Sequence, residues 1–278
     1  MRCETVHLKD RFPFLGEAGK DPKLTIYIQS SYTDLGQTAK RRPGIVICPG
    51  GGYAYVSTRE AEPVAMKLLP EGYNVFILDY SVKPNGYPTQ LIEVAAAMEL
   101  IYENSQQWDT DARRIAIMGF SAGGHLAAHY SNAYDCDVVH KVFPESKPVQ
   151  ATILGYPVIT ATESYAHKGS FRVLTGHDYP LSEDEIGKLS CEKLVTEKTP
   201  PAFVWHTAAD KTVPVEDSLL YASALSALKI PFALHIYPYG PHGLSTADGQ
   251  TNENLTPEST LANSWLQDLS QWLKITFA

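Results

Sequence analysis

No stretch of this chain reaches the ~18 uninterrupted apolar residues that a helix needs to cross a bilayer, so no membrane span is expected. Met1 to Asp10 carry no apolar segment of the secretory kind, which makes the cytoplasm the expected compartment of the chain as it stands. Cysteine is scarce. The four present (Cys3, Cys48, Cys136 and Cys191) are far apart and form no CxxC pair. Neither a disulfide framework nor a thiolate metal site is expected, and no metal or other cofactor is called for. Cys48 lies inside an apolar run and reads as a small buried hydrophobe. Blocks of like charge are also missing: the net charge of -8 comes from acidic and basic residues mixed along the chain. Such a surface repels phosphate backbones and anionic membranes, so nucleic acid is not an expected partner and a neutral or cationic small molecule is favoured. Repeats and low-complexity tracts are absent too. The 278 residues are enough for one large α/β domain with a substantial core.

What is present is an alternation of apolar runs with helix-period segments, the pattern of a mostly parallel sheet with helices on both faces. Leu24 to Ile28 alternates like a half-exposed early strand. The run from Gly44 to Cys48 is wholly apolar between Pro43 and Pro49 and reads as a buried strand. Asn74 to Tyr80, Arg114 to Met118, Ala151 to Tyr156, Ala202 to His206 and Phe232 to Tyr237 read the same way. Leu91, Val94, Met98 and Ile101 form one helical stripe, as do Tyr221, Leu225 and Leu228, and Leu261, Trp265, Leu269 and Trp272. These stripes are assigned to the core. Residues 160–199 break the alternation with a polar stretch between two strands, and a connection of that length reads as an inserted cap.

The sharpest motif is Gly119-Phe120-Ser121-Ala122-Gly123. On its own G-x-S-x-G is weak, because it also describes a plain Gly/Ser turn. Here a strand-like run precedes it and a helix-like run, Gly124 to Tyr130, follows, as the nucleophile elbow requires. A serine on so sharp a turn needs small neighbours on either side, and its hydroxyl then stands at a helix N-terminus that favours negative charge.

A second element supports it. Cys48-Pro49-Gly50-Gly51-Gly52-Tyr53 follows a buried strand, where a hydrolase supplies one half of its oxyanion hole. The donors would be the amides of Gly51, Gly52 and Ala122, with Pro49 standing where His is common. A P-loop would need Gly-Lys-Ser/Thr after the glycines, and Tyr-Ala-Tyr follows instead. A dinucleotide fingerprint would place its third Gly or Ala where Tyr55 stands, yet Asp79 could serve as the ribose-binding acid, so that reading stays open.

Of nine histidines, His242 in Tyr239-Gly240-Pro241-His242-Gly243 falls on the loop after the final strand and is the candidate base. Asp210 lies in the loop one strand earlier and is the candidate acid, with Glu216 and Asp217 as rivals that suit the start of the next helix. His125 and His129 read as structural, and His206 and His235 as satisfied within strands. Tyr53, Tyr156, Tyr165, His167 and His177 are candidates for the substrate pocket.

Pro49 to Tyr53, Gly119 to Leu126, Leu154-Gly155-Tyr156-Pro157 and the segments around Asp210 and His242 resemble the hormone-sensitive-lipase-like α/β hydrolases. More narrowly, they resemble the small bacterial acetylesterases and acetyl-xylan-esterase-like proteins, from about residue 24 to the end. The resemblance implies an α/β-hydrolase fold and a serine esterase acting on a small-molecule ester of short acyl chain, acetyl above all, on sugars or oligosaccharides. It implies no cofactor, and by analogy a dimer or tetramer. A peptidase or lactonase of the same fold, or a non-catalytic binding protein built on it, are the other readings; a lipase is disfavoured because no apolar stripe marks a membrane-facing lid.

Overall fold

The computed structural model describes residues 1–17, 21–31, 34, 40–162 and 164–278. Its sheet has eight strands: β1 (Arg2–His7), β2 (Lys23–Ile28), β3 (Arg42–Cys48), β4 (Asn74–Asp79), β5 (Thr110–Phe120), β6 (Ala151–Gly155), β7 (Ala202–Thr207) and β8 (Phe232–Tyr237). They lie in the order β1-β2-β4-β3-β5-β6-β7-β8. β2 pairs antiparallel with both its neighbours, and every other pairing is parallel. Among the described residues the helices are α1 (Leu8–Arg11), α2 (Glu62–Leu68), α3 (Thr89–Glu103), α4 (Ser121–Ala133), α5 (Asp137–His140), α6 (Lys168–Thr175), α7 (Glu183–Leu189), α8 (Glu216–Ala227) and α9 (Trp265–Thr276). None of them is long and apolar enough to cross a membrane.

Strand residues alternate between the two faces, and each face builds its own core. Val46, Cys48, Phe76, Leu78, Ile115 and Ile117 pack on one side with α3, α4 and α8. Ile45, Ile47, Val75, Ile77, Ala116 and Met118 pack on the other with α2 and α9. Both sides are covered, which is why these strands are continuous apolar runs in the sequence.

One strand goes unread in the sequence and two expectations are corrected. The sequence pattern of Arg2–His7 gives no strand signal, because β1 is an edge strand with no fully buried residue; it is held by its antiparallel register with β2. β8 reads as buried but closes the opposite edge, leaving Phe232 and Ile236 more than a third exposed. Leu228 and Leu261 drop out of their stripes and are exposed, one at the end of α8 and the other in a 3-10 turn ahead of α9.

The strand order fixes where a site can lie. From β3 the chain goes to β4 on one side, then crosses back to β5 on the other. The loops leaving the carboxyl ends of β3 and β5 therefore diverge and open a crevice, the usual ligand position in open α/β sheets. Those loops carry Gly50-Gly51-Gly52 and Ser121.

Candidate active site

Ser121 is the first residue of α4 and adopts φ 53°, the left-handed region that a non-glycine residue enters only under constraint. The constraint is the close approach of strand and helix. A β-carbon on Gly119 would lie 2.0 Å from the Gly123 carbonyl oxygen, and one on Gly123 would lie 2.1 Å from that of Cys48. Any side chain at either position would force the turn apart.

The Ser121 hydroxyl is 2.8 Å from His242 Nε2, and His242 Nδ1 is 2.7 Å from Asp210 Oδ2. Nδ1–H donates to the carboxylate, which leaves Nε2 to accept the serine proton. The Asp210 side chain is fully buried. Its Oδ2 also accepts from His206 Nε2 at 3.2 Å, and its Oδ1 from the amides of Thr212 at 2.8 Å and Val213 at 3.1 Å. Burial opposes the charge of this carboxyl, but the hydrogen bonds from His206 and His242, the charge of His242 and the Thr212 amide outweigh it. The carboxyl is held well below the ordinary carboxylate range. His206 is thus a satisfied strand residue that also holds Asp210, with its Nδ1 anchored on Ser218 Oγ at 2.8 Å.

Of the rival acids, Asp217 is engaged elsewhere. Its Oδ1 accepts from the amides of Ile159 and Thr160 and ties the chain after β6 to α8, instead of capping its own helix. His235, expected in the core, is part-exposed on the edge strand β8, 3.6 Å from Asp268.

The glycine loop lies directly against Ser121. A β-carbon on Gly50 would be 3.0 Å from Ser121 Cβ, and Gly51 and Gly52 turn at φ 127° and 62°. Among the described residues none of the amides of Gly51, Gly52 and Ala122 donates a hydrogen bond to the protein. The loop does not run straight into a helix: ten residues separate Gly51 from the start of α2 at Glu62, so the dinucleotide reading loses the helix N-terminus it needs. Among the described residues no group of three or more His, Cys, Asp or Glu side chains could hold a metal ion.

Two of the pocket candidates prove to be supports. Tyr53 is buried, and its hydroxyl donates to His125 Nδ1 at 2.7 Å while His125 Nε2–H donates to the Leu189 carbonyl at 2.7 Å. Burial pushes the His125 imidazole down to about 4, which keeps it neutral and able to do both. Tyr156 is also buried; its hydroxyl donates to Glu60 Oε1 at 2.7 Å and accepts from the Ser245 amide at 2.9 Å, and its ring packs edge-on against His242. Neither hydroxyl is free to meet a ligand.

Glu60 was not legible as a site residue. Ser57-Thr58-Arg59-Glu60 has the S-x-x-E spacing of a helix capping box, an innocuous reading. In the fold the carboxylate turns inward, only 3% exposed, and its Oε2 accepts from the Gly50 amide at 2.8 Å. One side chain therefore joins the glycine loop, through Tyr156, to the loop that follows His242.

The three remaining candidates divide. His167 precedes α6, its Nδ1 2.8 Å from Ser170 Oγ. Burial and the charge of His242 hold its imidazole below the usual range, partly offset by Asp210. His177 is half exposed, bonded to Glu185 Oε1 at 2.6 Å on the outer surface. Tyr165 is also exposed, in the turn before α6.

A family model described as BD-FAE matches residues 32–225. Endo-1,4-beta-xylanase B of Butyrivibrio fibrisolvens is 34% identical over 261 residues, which are 89% of this chain and 38% of that protein. An acetylxylan esterase of Xylanibacter ruminicola is 30% identical over 234 residues, 83% of this chain and 45% of that one. The chain thus spans less than half the length of these two relatives. Among solved structures, an acetyl ester-xyloside bifunctional hydrolase from Caldicellulosiruptor lactoaceticus superposes with a TM-score of 0.83 at 34% identity, covering 99% of this chain and 96% of its own. The chain therefore belongs to the BD-FAE family, and its fold is that of the α/β hydrolases.

Proposed function

We propose that this protein is a serine carboxylic-ester hydrolase that removes short acyl groups, acetyl above all, from sugars or oligosaccharides. The observation that carries the reading is the unbroken relay from Ser121 through His242 to Asp210, at 2.8 and 2.7 Å, beside a loop of glycine amides. His242 takes the Ser121 proton as the serine oxygen bonds to the ester carbonyl carbon. The amides of Gly51, Gly52 and Ala122 receive the oxyanion, each such donor being worth about 3 kcal/mol in the transition state. Protonated His242 then gives its proton to the departing alcohol oxygen. A water, deprotonated by the same imidazole, attacks the acyl-serine and releases the acid. Residues 160–199 act as a cap over this centre, with His167 as their contact to substrate, while His177 lies outside it. The acetylxylan esterase and acetyl ester-xyloside hydrolase among the relatives support the acetyl and sugar parts of the reading.

The test is a set of initial rates on p-nitrophenyl esters from acetate to decanoate, for the parent and for Ser121→Ala. Acetate is expected to be fastest, and the variant to lose on the order of 10⁵-fold or more in kcat. A parent inactive on every ester, or a variant that keeps the parent's rate, would remove Ser121 as nucleophile.

A further inference from the structure

We propose that the open cleft beside His242 is the subsite for the alcohol half of the substrate, and that it seats a neutral glycosyl ring on the face of Tyr239. The inference rests on the esterase reading above and gives the sugar of that reading its place in the fold. The cleft measures about 680 Å³, within the range of small-molecule sites. Three loops wall it: 209–212 after β7, 239–242 after β8, and 256–259 ahead of α9.

Position decides which half of the ester belongs there. The departing alcohol must take its proton from His242, so it leaves on the side of the imidazole that is open. His242 itself forms part of the cleft wall, whereas Tyr53 and Glu60, on the chain that leaves β3, are buried.

Chemistry decides what kind of alcohol. Tyr239 is 54% exposed and belongs to neither core, so folding alone gives it no purpose. A flat aromatic face suits the C–H face of a pyranose, while the ring's hydroxyls need donors and acceptors around its rim. Lys211, Thr212, Thr256 and Glu258 supply both, from the same wall. A cationic and an anionic side chain together favour a neutral polyol over an ion of either sign. A lipid alcohol would want a lining free of charges, and here Lys211 and Glu258 stand in the same wall as the ring. The loop is also held in place: Thr207 Oγ1 donates to the Gly240 carbonyl at 2.8 Å, and Gly240 turns at φ 134°, where a side chain would be strained. The platform is therefore fixed before substrate arrives.

The experiment compares kcat/KM on an acetylated xylo-oligosaccharide with kcat/KM on ethyl acetate, whose alcohol is too small to reach Tyr239, for the parent, Tyr239→Ala and Tyr239→Phe. The ratio of the two is expected to fall about tenfold in Tyr239→Ala, a tenfold change being one factor of ten in binding, and to recover in Tyr239→Phe, which keeps the ring. Equal losses on both esters would assign Tyr239 a merely structural part and overturn the subsite. An unchanged ratio with a fully active parent would overturn it too, and leave the esterase reading standing. A parent that turns over neither ester would bring down both.

Discussion

Around the chain that leaves β3 the polar groups are closed on one another. Tyr53 bonds His125, Tyr156 bonds Glu60, Glu60 bonds the Gly50 amide, and all four side chains are 3% exposed or less. On the β8 side the same crevice opens to water, walled by Lys211, Tyr239 and Glu258 from three loops. The contrast separates two tasks. A transition state needs donors that do not move, and buried hydrogen bonds supply them; a substrate needs groups not yet partnered, and only an open flank offers those. Substitutions on the closed flank should therefore lower kcat across all esters, and substitutions on the open flank should discriminate between alcohols.

The largest effect that would sharpen this contrast is at Asp210. In Asp210→Asn an amide nitrogen in the place of Oδ2 would face the N–H groups of both His242 and His206. The imidazole would have to flip tautomer, and a drop of about 10⁴-fold in kcat is expected, on acetyl esters of every alcohol alike. Stopped-flow rates on p-nitrophenyl acetate, with circular dichroism as a check on folding, decide it. A loss smaller than tenfold would mean that the acid does not orient the base.

Next comes Glu60→Gln. Glutamine has one acceptor oxygen where the carboxylate has two, so either the Gly50 N–H or the Tyr156 O–H must lose its acceptor. A loosened glycine loop is expected to cost about 10- to 100-fold in kcat with little change in KM. Tyr156→Phe cuts the same chain at its next link, so the double variant should lose much less than the product of the single losses. Strictly multiplicative losses would show two independent supports and break the picture of one closed network.

This network also marks where the sequence stops being readable. The strands, the elbow and the order Ser121, Asp210, His242 are visible because each depends on local pattern: apolar alternation, small residues about a sharp turn, loops after strands. Glu60 and Tyr156 are 96 residues apart, and Tyr156 and Ser245 are 89 apart. Nothing in the local pattern of any of the three announces the contact. Tyr53 and Tyr156 were legible as aromatic residues near the site, but whether a hydroxyl faces ligand or protein is decided by which buried acceptor lies beside it. β1 escaped for a different reason. An edge strand exposed to water has no apolar pattern to show, and only its register with β2 makes it a strand.

The smallest effect falls at the boundary between the closed flank and the segment 160–199. Asp217 holds the amides of Ile159 and Thr160, with its second oxygen buried and without a partner among the described residues. Burial, reinforced by the nearby acids Glu192 and Glu216, raises its carboxyl to about 7 despite the two amide bonds. The folded state therefore keeps a proton that the unfolded chain gives up near an ordinary aspartate value of about 3.9. Between those two values the unfolded state binds fewer protons than the folded one, so this group makes stability fall as pH rises, and the fall ends once both states are ionised above about 7. Asp217→Asn keeps the accepting oxygen and removes the titration. The melting temperature of the variant minus that of the parent should climb by about 2 °C or more between pH 4 and pH 8, with ester hydrolysis at neutral pH close to the parent's. A difference that stays flat would mean that Asp217 is ionised throughout. The chain entering 160–199 would then be held by a charged carboxylate.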